Sequence, residues 1–100
     1  MQKIIETTKP AVSKSQNCVS TTHMTAQMSI SGVGKLSASG AIEGSLDGIG
    51  WVTIADFSVQ GQGYATDGGS FETLWTFIRA NVTNISGTDA VVSVYIAKRG

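Results

Sequence analysis

Met24, Ala26, Met28 and Ile30 alternate with Thr25, Gln27, Ser29 and Ser31. A period of two is that of a strand with one buried face. The period recurs at Leu36, Ala38, Gly40, Ile42 and Gly44, set against Ser37, Ser39, Ala41, Glu43 and Ser45. It recurs again at Leu74, Thr76, Ile78, Ala80 and Val82, with Trp75, Phe77, Arg79 and Asn81 on the other face. Val92, Val94 and Ile96 then alternate with Val91, Ser93, Tyr95 and Ala97. Val52, Ile54 and Phe57 carry a further strand that starts at Trp51. Strong helix formers are sparse, β-branched residues are common, and 12 glycines punctuate the chain.

Turn chemistry separates these runs. Asp47-Gly48 predicts a tight hairpin turn, since both residues tolerate positive φ. Gly32-Val33-Gly34 and residues 86–89 read as turns, and the polar, glycine-rich stretch 60–70 reads as the longest loop. Residues 17–22 read as a strand. The small face of 36–44 leaves room for an aromatic ring, either Trp51 or Trp75. About seven strands with regularly spaced turns give an all-β, antiparallel β-sandwich of jelly-roll type. Its expected core is Ile30, Leu36, Ile42, Trp51, Ile54, Ile78, Val82, Val92, Val94 and Ile96. Residues 1–16 read as an extended N-terminal arm and linker, and 17–100 as the sandwich domain.

Composition changes the picture in one respect. Charged residues are only 14% of the 100, against about 25% in ordinary soluble domains. A surface of Ser, Thr, Asn, Gln and Gly is easily desolvated, which suits packing against neighbouring subunits. Net charge is zero, but Lys3, Lys9, Lys14 and Lys35 oppose only Glu6 near the start, and Lys98 and Arg99 close the chain. Between them Arg79 stands alone among six carboxylates. Basic ends on an acidic body can pair with a neighbouring copy. Isolated cations without interleaved aromatics argue against nucleic acid.

The candidate chemistry is thin. Cys18 is the only cysteine and His23 the only histidine. Five positions apart on one strand, they would face opposite ways. Neither a metal fork nor a phosphate loop can be assembled, so no catalytic, cofactor or metal residue is expected. Asp47, Asp67 and Asp89 are explained by turns. Arg79 is expected to pair with Glu72, with a carboxylate across the sheet, or across a subunit interface. The N-terminus lacks the apolar run of a signal peptide, and no segment reaches membrane-spanning length, so synthesis in a reducing cytoplasm is expected.

Two stretches carry a resemblance. Ser45–Trp51 reads S-x-D-G-x-x-W, and Trp75–Thr88 reads W-x-x-I-R-A-x-V-T-x-I-S-G-T, followed by V-x-V-Y-I-A at 92–97. The hairpin and the Ile78-Arg79 strand resemble those of discoidin-like carbohydrate-binding sandwiches. The whole of 36–97 is similar to a group of small phage virion proteins. The N-terminal third has no counterpart in secreted sugar-binding modules, which favours the virion likeness. That resemblance implies a non-enzymatic virion structural protein, of capsid decoration or cement type, made in the host cytoplasm. Its implied partners are the major capsid protein and other copies of itself, as a trimer, without nucleic acid or membrane. A carbohydrate-binding module or tail-fibre adhesin is the alternative. The residues expected at subunit interfaces are Lys3, Ile4, Ile5, Trp75, Phe77, Arg79, Lys98 and Arg99.

Overall fold

The computed structural model describes residues 1–19 and 21–99. Ser20, within the strand expected over 17–22, and Gly100, at the end of the expected sandwich domain, lie outside the described residues. Every regular element described is a strand: β1 (Gln2–Thr7), β2 (Ala11–Val12), β3 (Gln16–Asn17), β4 (His23–Ser45), β5 (Val52–Glu72) and β6 (Phe77–Arg99). All pairings are antiparallel.

Three strands are much longer than the turn signals imply. β4 and β6 each run 23 residues and β5 runs 21. A straight strand of that length would reach roughly 75 Å, yet the longest dimension of the molecule is 41 Å. Each long strand therefore bends back, and the bends share one level. The β4–β5 ladder slips between Ser31 and Lys35, where β4 turns its corner. Positive φ marks the corners: 75° at Gly34, 74° at Gly63 and 52° at Asp89. The turn signals at 32–34 and 86–89 are thus corners inside continuous strands. The expected 60–70 loop is corrected by its pairing: Gln60 faces Ser37 and Ser70 faces Thr25, so the stretch is strand on both sides of Gly63. Its polar composition follows from its position, because β5 is an edge strand with one side open to water.

The bends fold one sheet into two layers. One holds β1, residues 91–99, residues 23–31 and residues 64–72, in that order. The other holds β2 with β3, residues 77–86, residues 35–45 and residues 52–62. Numbering these eight segments in chain order gives 1-8-3-6 and 2-7-4-5. The chain crosses between layers just after β3. There the Cys18 amide donates to the Thr76 carbonyl (2.7 Å), and the Thr22 amide donates to the Arg99 carbonyl (3.0 Å). Asn17 ends β3, and Cys18, Val19, Thr21 and Thr22 are in a crossing turn rather than a strand; the Thr21 amide bonds back to the Cys18 carbonyl (2.9 Å).

The alternating apolar residues of both layers share one core. Ile30, Leu36, Ile42, Ile78, Val82, Val92, Val94 and Ile96 are buried as expected, with Met24 and Met28 among them. The layers interlock large against small: a Cβ added to Gly40 would lie 3.2 Å from the Met28 sulfur of the facing layer. Ile54 packs at the core margin. Trp51 is corrected: it is half-buried and turned to the outer face, where its ring covers the Arg79 guanidinium at 4.1 Å.

The N-terminal stretch lies on its own chain's sheet. Gln2–Thr7 pairs with β6 from Ile96 to Val92, and Ile4 and Ile5 pack against the core. Ala11–Val12 and Gln16–Asn17 continue along the other half of β6. Residues 1–16 and the rest of the chain therefore share one sheet.

Candidate functional site: an apolar loop end and a tyrosine-lined hollow

The chain between β4 and β5 is a braced six-residue loop, wider than the tight turn expected at Asp47-Gly48. Asp47 Oδ1 accepts the amides of Ile49 (2.8 Å) and Gly50 (2.9 Å) and the Ser45 hydroxyl (3.0 Å). Ser45 Oγ in turn accepts the amides of Gly48 (2.8 Å) and Asp47 (3.3 Å). Gly48 has φ 76°, which the Asp-Gly pair permits. Two short polar side chains thus satisfy four backbone donors and fix the loop without help from its apolar residues.

The Ile49 amide, then the Gly50 amide and the Ser45 hydroxyl, hold the Asp47 carboxyl below its ordinary 3.8. A depressed folded-state pKa contributes stability that is full above the unfolded value and is lost as pH falls through the folded one. In an NMR acid titration the Ile49 and Gly50 amide shifts should therefore move with a midpoint below 3.8. Movement centred at or above 3.8 would contradict the bracing.

The loop presents what it does not use. Leu46 is 66% exposed and Ile49 85% exposed. Other apolar side chains join them at this end. Leu74, on the 73–76 connection, is 85% exposed and Val19 is 65% exposed. The connections are tied together: the Thr73 amide donates to the Thr22 carbonyl (2.9 Å), and Gly48 lies beside the Phe77 ring. Trp75 anchors the 73–76 connection by packing on Gly44, which fulfils the expectation that a ring lies on the small face of 36–44. Leu74, expected on a strand face, is corrected: β6 begins at Phe77, so Leu74 sits in the connection and points to solvent. Large apolar side chains exposed on neighbouring, hydrogen-bonded loops at one end of a fold mark an interaction surface where they form one patch.

The residues expected at interfaces fall into three places. Lys3, Ile4 and Ile5 lie on β1, where Lys3 Nζ pairs with Glu6 (3.0 Å). Lys98 and Arg99 end β6; Lys98 Nζ donates to the Asn17 carbonyl (3.4 Å), and Arg99 faces His23 across the ladder. Trp75, Phe77 and Arg79 lie beside the braced loop. Arg79 pairs across the sheet with Glu43, Nε to Oε1 at 2.7 Å, and Asn81 holds the other Glu43 oxygen at 3.3 Å. Of the partners expected for Arg79, the carboxylate across the sheet is the one observed. Glu72 instead lies 3.9 Å from His23.

Cys18 is buried, which pushes its thiol pKa up, with Lys98 opposing the shift. His23 is exposed, and its Nδ1 meets the Thr22 hydroxyl at 3.0 Å. Among the described residues no group of three or more His, Cys, Asp or Glu is placed to hold a metal ion.

A second feature lies on the outer face of the other layer. Tyr64 and Tyr95, the chain's two tyrosines, line a hollow of about 450 Å³ with Gln27, Ser29, Ser31 and Ser93. Neither this hollow nor the loop end could be assembled from the sequence alone. Leu46 and Ile49 did carry a signal, since large apolar residues inside a turn otherwise built from Ser, Asp and Gly have no folding role there. Tyr64 and Tyr95 meet only through a register spanning the chain. Comparison with protein-family models, with curated proteins and with solved structures found no match.

Proposed function

We propose that this chain is a non-enzymatic bacteriophage virion protein, a capsid decoration or cement protein that stabilises the head by binding capsid subunits through its apolar loop end. The supporting observation is the exposed set Leu46, Ile49, Leu74 and Val19 on mutually tied loops. Side chains of this kind anchor interfaces at low entropic cost when their backbone is already fixed. The likeness of 36–97 to small phage virion proteins supplies the partner, and the low charge of the surface suits a crowded lattice. The order of the eight segments, 1-8-3-6 and 2-7-4-5, supports reading the sandwich as a jelly roll, a fold common in capsid proteins. Copies assemble as a trimer on the head, with Lys98 and Arg99 reaching acidic neighbours.

Co-sedimentation with purified heads of the encoding phage tests this reading. The wild-type chain should pellet with heads. Ile49→Asp and Leu74→Asp should each weaken binding at least tenfold while shifting stability by less than about 0.5 kcal/mol, as exposed positions do. Binding unaffected by both changes, or absent in the wild type, would reject the loop end as the docking surface.

A further inference from the structure

The hollow on the outer face of the first layer is built from hydroxyl groups in a fixed order. Thr66 Oγ1 donates to the Met28 carbonyl (3.1 Å). Its proton is thereby committed, so Thr66 accepts from Ser29 Oγ (3.0 Å) and from Gln27 Nε2 (2.9 Å). Ser29, donating to Thr66, accepts from Tyr64 Oη (3.2 Å). Every proton in the run from Tyr64 through Ser29 to Thr66 points inward, toward a backbone carbonyl. The Tyr64 oxygen is left as an acceptor in the lining, beside Gln27. The Ser31 and Tyr95 hydroxyls remain beside them to donate or accept.

The surroundings narrow the ligand class. Tyr64 is 57% exposed and Tyr95 half-buried, so each ring offers an apolar surface beside a polar floor. The serines between them are small enough to leave the floor low. Glu6, the one carboxylate in the lining, pairs with Lys3 at 3.0 Å and accepts from Ser93 at 3.4 Å, and Met1 lines the same hollow. A hollow with aromatic walls, directional hydroxyl partners and its one carboxylate already paired matches a ligand with apolar C–H faces and many hydroxyl donors. Its volume of about 450 Å³ lies within the range of small-molecule sites, roughly 300–1,000 Å³. We infer that this hollow binds a carbohydrate, a short hexose-containing glycan, with a ring against Tyr64 or Tyr95 and its hydroxyls on Gln27, Ser31 and the Tyr64 oxygen. The inference is independent of head binding, which uses the other surface.

The test is an amide-resolved NMR titration of the folded chain with maltotriose, cellotriose, chitotriose, mannotriose and lactose, with sialyllactose as the acidic comparator. At least one neutral glycan should give saturable shifts confined to residues 27–31, 64–66 and 91–95. Tyr64→Ala and Ser31→Arg alter exposed positions, and unchanged thermal unfolding would show that each variant folds. Each should weaken that glycan's binding at least tenfold. The assignment is overturned if no neutral glycan shifts these amides or if both folded variants bind as the wild type does.

Discussion

Deleting residues 2–7 should leave a chain that no longer unfolds cooperatively at 25 °C. The segment covers one half of β6, and Ile4 and Ile5 pack against the core. Two half-buried isoleucines are worth roughly 1.5–3 kcal/mol of hydrophobic burial. The ladder hydrogen bonds to β6 are lost as well, out of a total stability of about 5–15 kcal/mol. The deletion also bares the β6 edge beside Val92 and Val94, a template for pairing with other chains. Urea unfolding followed by tryptophan fluorescence, together with light scattering, would show a lost transition and association. A truncated chain that keeps the wild-type midpoint and stays monodisperse would show that residues 2–7 are a detachable arm.

Gly44→Val should be the most damaging single substitution near the loop end. A Cβ at Gly44 would lie 2.5 Å from Trp75 Cγ and 2.6 Å from Ile54 Cδ1, closer than non-bonded carbons approach. Backbone fixes Gly44 between Val52 and Ile78, so the side chains must move. Trp75, on a short connection, is the one free to swing out. Overpacking of this kind costs about 1–3 kcal/mol, and the loss of Trp75 packing adds to it. In a Trp51→Phe background the remaining emission should shift to the red and the urea midpoint should fall. An unshifted emission with an unchanged midpoint would mean that Trp75 does not rest on Gly44.

The sequence carried the fold class because its alternation is regular. Even-numbered residues from 24 to 30 and from 36 to 44 are apolar or small, and in the structure they line one continuous core. What it could not carry was continuity through a corner. Gly34 and Gly63 adopt the positive φ of a turn while the strand resumes with the same neighbours, so turn chemistry looks alike in a hairpin and in a bend. The short N-terminal runs read as arm and linker because their partners lie 60 to 94 residues away on β6. Arg79 and Glu43 could be listed as charges, but only the β4–β6 register sets them opposite each other. The apolar loop end was half legible. Leu46 and Ile49 stand out in the sequence, whereas Leu74 and Val19 join them only once the two layers fold together.

The docking proposal is tested most directly by an electron cryomicroscopy reconstruction of phage heads incubated with the chain. The account predicts ordered extra density on the capsid lattice that fits the sandwich. The 46–51 loop and the 73–76 connection should face the capsid, and the outer face bearing Tyr64 and Tyr95 should be free. Heads without added density, or a sandwich seated on the lattice by any other face, would contradict it.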